Sequence, residues 1–210
     1  MGTKAFVTAA AFLIGDSEVA VQLEIKPGWH VYWENPGDFG LATEVSGLNK
    51  LTFPVPNRFD GTAGMTTYGY ERKMTMFGTL AGPVDKLDVN WLACKESTCV
   101  PGNALVSLAS PSVDRSNRLR VLKSGLPKIR EASYVRLQEK KILVSWPELQ
   151  LTQKVECFPN DVADLTTKAQ RNIVQKNVLQ TELTLKRRQD GAAWLCVVDS
   201  DKELGYWILP

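Results

Sequence analysis

The stretch that decides the fold of this chain is Trp91-Leu-Ala-Cys94-Lys-Glu-Ser-Thr-Cys99-Val-Pro-Gly102, in which four residues separate two cysteines. The residues before it alternate between apolar and more polar, which predicts a half-buried strand. The apolar positions are Leu87, Val89, Trp91 and Ala93. After it, Pro101-Gly102 predicts a turn, and a second strand is predicted over residues 104–108. The cysteines therefore lie at the mouth of a predicted hairpin, close enough to bond.

The spacing of Cys94 and Cys99 leaves several uses open. A disulfide between them closes a short loop worth only about 2 kcal/mol, which suits a bond that is made and broken. A plain structural disulfide is the first alternative, and binding of Cu(I) by the thiolates is a weaker one. Zinc would need two further ligands, but Cys157 and Cys196 are distant from each other in sequence and His30 is the only histidine. We therefore predict no metal site and no cofactor.

Composition excludes several classes of function. The 210 residues carry a net charge of +2 with both signs interspersed, so no broad positive field for nucleic acid is present. No glycine-rich phosphate loop follows a strand, so nucleotide binding has no support in the sequence. The longest apolar run, residues 9–14, is far too short to span a bilayer.

Short strands separated by Gly, Pro, Asn and Asp fill the first half and predict an antiparallel β-sandwich. Three of these strands are predicted over residues 19–25, 29–33 and 73–80. The first places its apolar residues on one face, namely Val19, Val21, Leu23 and Ile25. We predict a first domain over residues 3–110.

The pattern changes after this domain. Residues 111–133 predict a basic helical connector that is capped by Asp114 or Ser116 and interrupted near Gly125. Its basic residues favour a solvated face, with lipid headgroups as the alternative. They are Arg115, Arg118, Arg120, Lys123, Lys128 and Arg130. Strands resume over residues 141–145, 180–185 and 193–198, and they predict a second, smaller β-sandwich over residues 134–210.

Several motifs in order carry a resemblance to a known family. They are Lys26-Pro-Gly-Trp-His-Val-Tyr-Trp33, Asn35-Pro-Gly-Asp38, Gly69-Tyr-Glu71, Trp91-Leu-Ala-Cys94 and Cys99-Val-Pro-Gly102. Together they resemble the periplasmic amino-terminal region of DsbD/ScsB-type thiol:disulfide interchange proteins, which carry electrons across the bacterial inner membrane. The second half resembles the family more loosely, through the basic connector and Phe158-Pro159. Two features depart from the family: four residues instead of the usual three separate the cysteines, and Cys157 stands where an aromatic residue is commoner.

The resemblance implies a fold, a location and an activity. The fold would be mainly β, with two immunoglobulin-like sandwiches in the periplasm as the soluble exported part of an inner-membrane protein. The activity would be that of a thiol:disulfide oxidoreductase. It would receive electrons from the parent's transmembrane and thioredoxin-like domains and reduce periplasmic thioredoxin-fold partners. Cys99 would attack and Cys94 would resolve. The alternative is a non-enzymatic sandwich for binding or spacing, with a structural Cys94–Cys99 disulfide.

The family also has an aromatic cap loop that covers the cysteines. Residues 66–71 are the candidate here, with Tyr68 and Tyr70 as the covering side chains and Gly64 and Gly69 as flexible points. The alternative for both tyrosines is a half-buried position at a sandwich edge. Phe39 is a weaker third candidate.

Three other residues invite a chemical role. His30 could serve as a base for a thiol, but a packed structural histidine is favoured because aromatic and aliphatic residues surround it in sequence. Cys157 and Cys196 could bridge two strands, but two buried thiols are favoured because Cys196 lies in an apolar run.

Overall fold

The computed structural model describes residues 6–61, 64–131, 134–138, 141–147, 149–152, 154–159, 167–185, 194–199 and 204–208. The described residues form two compact units. The first takes its residues from 1–36, 40–59 and 68–126, and the second from 37–39, 60–67 and 127–210. The domain boundaries expected from the sequence stay a prediction.

The first half of the chain is built from strands that join into one ten-stranded sheet. Their bounds are β1 (Val7–Leu13), β2 (Glu18–Ile25), β3 (His30–Gly37), β4 (Glu44–Ser46), β5 (Leu48–Thr52), β6 (Asn57–Asp60), β7 (Thr66–Glu71), β8 (Lys73–Leu80), β9 (Lys86–Lys95) and β10 (Thr98–Ala109). The strand order is β5-β8-β2-β1-β10-β9-β3-β7-β6, and β4 pairs with β9. The predicted fold class, mainly β with immunoglobulin-like sandwich character, is confirmed.

Strand β2 is buried along one face and at one position of the other. The predicted apolar face is confirmed, since Val19, Val21, Leu23 and Ile25 are all buried. Ala20 on the opposite face is also buried, because a second cluster covers it. That cluster contains Phe12, Ile14, Phe77 and Leu119, the last of which belongs to the helix α1 (Val113–Ser124).

The N-cap of helix α1 lies earlier in the chain than either position that the sequence predicts. Ser112 is the N-cap, and its Oγ accepts a hydrogen bond of 3.4 Å from the backbone N–H of Arg115. The prediction of Asp114 or Ser116 is wrong, because Ser112 has extended backbone angles while both of those residues lie inside the helix. Asp114 instead places a negative charge in the first turn, where it favours the helix dipole. Lys123 in the last turn forms an ion pair with Glu18.

Pro101 and Gly102 do not form the predicted turn. Both lie inside β10, where they pair with Leu92 and Trp91 of β9. Proline is tolerated here because β1 pairs with β10 only at Leu108 and Ala109, so the earlier part of β10 has an open edge. Gly102 gives room to the Trp91 ring, because a Cβ at this position would lie 2.5 Å from Trp91 Nε1.

The second half forms two four-stranded sheets that share one core. The first sheet has the order β11 (Lys128–Glu131), β18 (Leu204–Ile208), β17 (Trp194–Asp199) and β14 (Lys154–Pro159). The second has the order β12 (Tyr134–Gln138), β13 (Lys141–Trp146), β16 (Val178–Leu185) and β15 (Thr167–Gln175). Both sheets contribute to a buried cluster of Ile142, Val144, Trp146, Val155, Cys157, Leu179, Leu183, Leu185 and Cys196. This shared core makes the pair a β-sandwich.

Side-chain amides of β15 satisfy the free edge of β14. The Asn172 Oδ1 and Gln170 Oε1 atoms accept hydrogen bonds of 3.3 and 3.1 Å from the backbone N–H groups of Val155 and Cys157. The Asn172 Nδ2 atom donates a bond of 3.1 Å to the Val155 carbonyl. Because an edge strand leaves backbone groups unpaired, these amides replace the missing neighbour.

Candidate functional site

The β9–β10 hairpin sets the geometry of the cysteine pair. Cys94 and Cys99 face each other directly in the antiparallel register, with their Cα atoms 4.1 Å apart and an S–S bond of 2.04 Å. Only Glu96 and Ser97 lie between the last paired residues of the two strands. Glu96 adopts a φ of 52°, a left-handed conformation that a tight hairpin turn requires. The predicted hairpin and the bond between these cysteines are therefore present.

The two sulfur-bearing residues differ in exposure. Cys94 is buried, with 1% of its surface exposed, whereas Cys99 is half-buried. The turn residues around them are exposed, including Lys95 and Glu96. Cys99 is therefore the more accessible residue of the bonded pair, and accessibility is what thiol–disulfide exchange requires of a reacting sulfur.

A small buried cluster surrounds Cys94. Tyr32 and Leu92 pack with Cys94 in one buried cluster, and Cys99 packs against its margin. Tyr32 is only 2% exposed, and its backbone carbonyl accepts a hydrogen bond of 2.7 Å from Thr43 Oγ1. The sequence gives no signal that places Tyr32 beside Cys94, because only the pairing of β3 with β9 brings the two residues together.

His30 lies next to the disulfide in the sheet. It pairs with Cys94 in the β3–β9 register, on the opposite side of β9 from Cys99. Its Nε2 atom lies 3.3 Å from the Tyr32 hydroxyl, and its ring stacks on Phe59 with centroids 5.0 Å apart. The predicted packing of His30 among aromatic residues is therefore present, and the cysteine pair is its neighbour across the strand.

Burial controls the protonation of both ring systems. Desolvation lowers the pKa of His30 below its ordinary value of 6.5, and the negative charge of Glu71 opposes this with a smaller effect. Burial raises the pKa of Tyr32 above 10.0. At neutral pH the site therefore contains a neutral imidazole beside a neutral phenol.

The predicted cap residues lie in β7. Tyr68 is buried, and its ring meets Trp33 edge-on at a centroid distance of 6.3 Å. Tyr70 is 4% exposed, and its hydroxyl donates a hydrogen bond of 2.8 Å to the Pro54 carbonyl. A role for these two tyrosines as a cover stays a prediction, as does the weaker one for Phe39, which is exposed.

The two glycines predicted as flexible points occupy different environments. Gly69 is the place where β7 closely approaches β3, since a Cβ there would lie 2.1 Å from the Val31 carbonyl oxygen. Gly64 has a φ of 71° and open space around its Cα. Close packing therefore fixes the backbone at Gly69, whereas the positive φ of Gly64 favours glycine there, and the flexibility of Gly64 stays a prediction.

The second pair of cysteines is bonded. Cys157 and Cys196 face each other in the β14–β17 register and form a disulfide of 2.08 Å. The favoured prediction of two free thiols is wrong, because the two sulfurs are bonded. The predicted burial is confirmed, since both residues are almost fully buried. Little in the sequence indicates this pair, because the partners are 39 positions apart and only the sheet brings them together.

Other kinds of site find no support in the described part of the chain. It contains no group of three or more His, Cys, Asp or Glu residues that could hold a metal ion. It also contains no helix long and apolar enough to cross a membrane.

Comparison with known proteins gives one family and one shared fold. The family model for the N-terminal region of thiol:disulfide interchange protein DsbD matches residues 2–111. The N-terminal periplasmic domain of ScsB from Proteus mirabilis matches with a TM-score of 0.72 at 16% identity, covering 97% of this chain and 91% of that chain. No curated protein sequence matches this chain.

Two solved structures from Neisseria meningitidis match half of the chain. The reduced DsbD N-terminal domain gives a TM-score of 0.36 at 19% identity, covering 50% of this chain and 86% of that chain. The complex between the DsbD and PilB N-terminal domains gives 0.39 at 14% identity, covering 51% and 85%. Scores this low carry no structural argument, so the likeness in fold rests on the ScsB domain.

Proposed function

This chain belongs to the family of the N-terminal domain of thiol:disulfide interchange protein DsbD, and from this premise we propose that it is a periplasmic disulfide reductase module. It receives electrons from the transmembrane and thioredoxin-like domains of an inner-membrane parent protein. It passes them to periplasmic thioredoxin-fold partners through Cys94 and Cys99. The observation that carries the proposal is a disulfide at a hairpin mouth with one buried and one accessible cysteine.

The reaction proceeds by two exchanges at sulfur. In the reduced domain the Cys99 thiolate attacks a partner disulfide, so that a Cys99–partner bond forms and one partner thiolate leaves. The Cys94 thiolate then attacks Cys99, the Cys94–Cys99 bond forms, and the second partner thiolate leaves. Two electrons have passed to the partner, and the thioredoxin-like domain of the parent restores the dithiol by the reverse exchange.

The difference in burial supports this order of attack. A buried thiol in apolar surroundings has a raised pKa and is a poor first nucleophile. Cys94 is in that position, next to Tyr32 and Leu92, whereas Cys99 is only half-buried at the margin of this cluster. Cys99 therefore acts first and Cys94 resolves.

The trapping experiment compares two matched serine variants. We expect Cys94→Ser to form a lasting mixed disulfide with an oxidised thioredoxin-fold protein, because Cys99 attacks and nothing resolves the adduct. We expect Cys99→Ser to form little or none. Mass spectrometry of the unreduced adduct measures both, and a Cys94→Ser protein that forms no adduct contradicts the proposed function.

The reduction potential separates this function from an inert spacer. We expect the Cys94–Cys99 couple to have a midpoint between about −180 and −270 mV, the range of exchange proteins. Equilibration in graded thiol/disulfide buffers, alkylation and peptide mass would measure it. A midpoint below about −300 mV would mark a structural disulfide and favour the binding or spacer alternative.

Residues 66–71, with Tyr68 and Tyr70, are proposed to shield the pair from unspecific oxidants. Their strand β7 lies next to β3, which carries His30 and Tyr32 beside Cys94. We expect Tyr70→Phe, which removes the bond to the Pro54 carbonyl, to quicken reduction of Cys94–Cys99 by dithiothreitol. An unchanged rate in this variant and in Tyr68→Phe would argue against the cover.

A further inference from the structure

Three side chains form a row across the site. His30 on β3, Cys94 on β9 and Cys99 on β10 are successive partners in two antiparallel registers. Directly opposed residues of an antiparallel pair point to the same face, with Cβ atoms about 4.5–5.5 Å apart. The imidazole and the disulfide therefore share one face of the sheet, and Cys94 lies between the other two.

The resolving step presents a problem of proton transfer. Cys94 is 1% exposed and packs with Tyr32 and Leu92, so water would solvate a thiolate at this sulfur poorly. Its thiolate must nevertheless form before it can attack Cys99. Water has little access to this sulfur, so the proton needs an acceptor inside the sheet.

His30 meets the requirements for that acceptor. Its burial keeps the ring neutral at neutral pH, so a ring nitrogen has a lone pair available to accept a proton. Its ring is held between Phe59 and Tyr32, and the Tyr32 hydroxyl lies 3.3 Å from Nε2. An Nε2–H that donates to this hydroxyl leaves Nδ1 free as the base. The charged group that acts on the ring from β7 is Glu71, and it stabilises the imidazolium.

We propose that His30 accepts the Cys94 thiol proton while the mixed disulfide on Cys99 is resolved, a role that rests on the order of attack proposed above. The proton moves from Cys94 Sγ to His30 Nδ1. The Cys94 thiolate then attacks Cys99 Sγ, the Cys94–Cys99 bond forms, and the Cys99–partner bond breaks. The departing thiolate takes up the proton that His30 gives back, so protons and electrons both balance.

The test uses 5,5′-dithiobis(2-nitrobenzoic acid) as a chromogenic disulfide, because it reports the two steps separately. Attack by Cys99 releases the first thionitrobenzoate, and attack by Cys94 on the mixed disulfide releases the second. The reduced protein is checked by alkylation and peptide mass to confirm that Cys157–Cys196 stays bonded. Wild type, His30→Gln and His30→Phe are compared by stopped-flow absorbance between about pH 5 and pH 8. Cys94→Ser defines the first phase alone.

We expect the second phase of wild type to rise with pH through a limb below about pH 6.5 that belongs to the only histidine. Both His30 variants should lose this limb and slow the second phase about tenfold or more near neutral pH, with the first phase unchanged. His30→Phe retains an aromatic ring on Phe59, so an unchanged first phase also shows that the site is folded. If either variant shows a second phase like that of wild type, the proposed role of His30 is overturned, whereas the proposed function is not. Failure of Cys94→Ser to release the first thionitrobenzoate overturns the proposed function itself.

Discussion

Tyr32 joins the cysteine pair to the interior of the first unit. Its ring packs with Cys94, its hydroxyl lies beside His30, and its carbonyl binds the Thr43 side chain. A single residue thus contacts the bond that we propose reacts and the ring that we propose accepts the proton. Changes at Tyr32 should therefore alter both the packing and the chemistry of the site.

The protonation of His30 should make the stability of the first unit depend on pH. Because the folded state lowers the pKa of His30, the unfolded state binds more protons below about pH 6.5. The stability that comes from the neutral ring is complete above that pH and falls as the pH is lowered through the folded pKa. We expect the midpoint of urea unfolding to fall between about pH 6.5 and pH 5 in wild type. The fall should be smaller in His30→Gln, and equal slopes would contradict this prediction.

A buried network in the second unit should be sensitive to a change of one atom. Thr181 Oγ1 accepts a 2.9 Å hydrogen bond from Trp146 Nε1 and donates one of 2.9 Å to Asn172 Oδ1. Thr181→Val keeps the shape and removes both bonds, so we expect it to lower the free energy of unfolding by about 1–3 kcal/mol. Thr184→Val, on the other face of β16, is the matched control and should change it by under about 0.5 kcal/mol. Equal losses in the two variants would show that the network contributes nothing.

At the level of elements, the start of α1 can be tested with two serines of the same helix. Ser112→Ala removes the N-cap and should destabilise the first unit by about 0.5–1 kcal/mol. Ser116→Ala lies inside the helix, where alanine is the better helix former, and it should be neutral or slightly stabilising. Thermal unfolding followed by circular dichroism measures both. A larger loss of stability for Ser116→Ala than for Ser112→Ala would support the N-cap at Ser116 that the sequence predicts.

Strand β10 shows where local sequence rules fail. Pro101-Gly102 has the composition of a turn, yet the ladder with β9 continues through it because the open edge needs no N–H from Pro101. The true turn, Glu96-Ser97, has no glycine, asparagine or proline to reveal it. At both places the pairing of β9 with β10 decides where the chain turns, and a short window of sequence does not reveal that pairing.

At the level of the whole molecule, the two disulfides should contribute differently to stability. Cys157–Cys196 closes a loop of 39 residues and should contribute about 4 kcal/mol, against about 2 kcal/mol for Cys94–Cys99 with a separation of five. We therefore expect the double variant Cys157→Ala, Cys196→Ala to lower the midpoint of urea unfolding more than Cys94→Ala, Cys99→Ala. An equal or smaller effect would contradict this assignment of structural and exchangeable bonds.

Periodicity made several strands predictable, among them β2, β13 and β16, and it also gave the buried face of β2. The Cys94–Cys99 bond was predictable too, because short separation and flanking strands leave little choice of partner. The Cys157–Cys196 bond, the amides that cover the edge of β14 and the position of His30 beside Cys94 depend on contacts distant in sequence. Those features follow from sheet order, which strand patterns alone do not fix.

The direct opposition of Cys94 and Cys99 in the β9–β10 ladder has a consequence for kinetics. Backbone hydrogen bonds hold these residues as neighbours whether or not their sulfurs are joined. Each thiol therefore meets the other at a very high effective concentration, and ring closure competes strongly with any external disulfide. The covalent complex with a partner should be a transient species. In the proposed function, the domain would therefore release its partners quickly, and its turnover would depend on how fast they arrive.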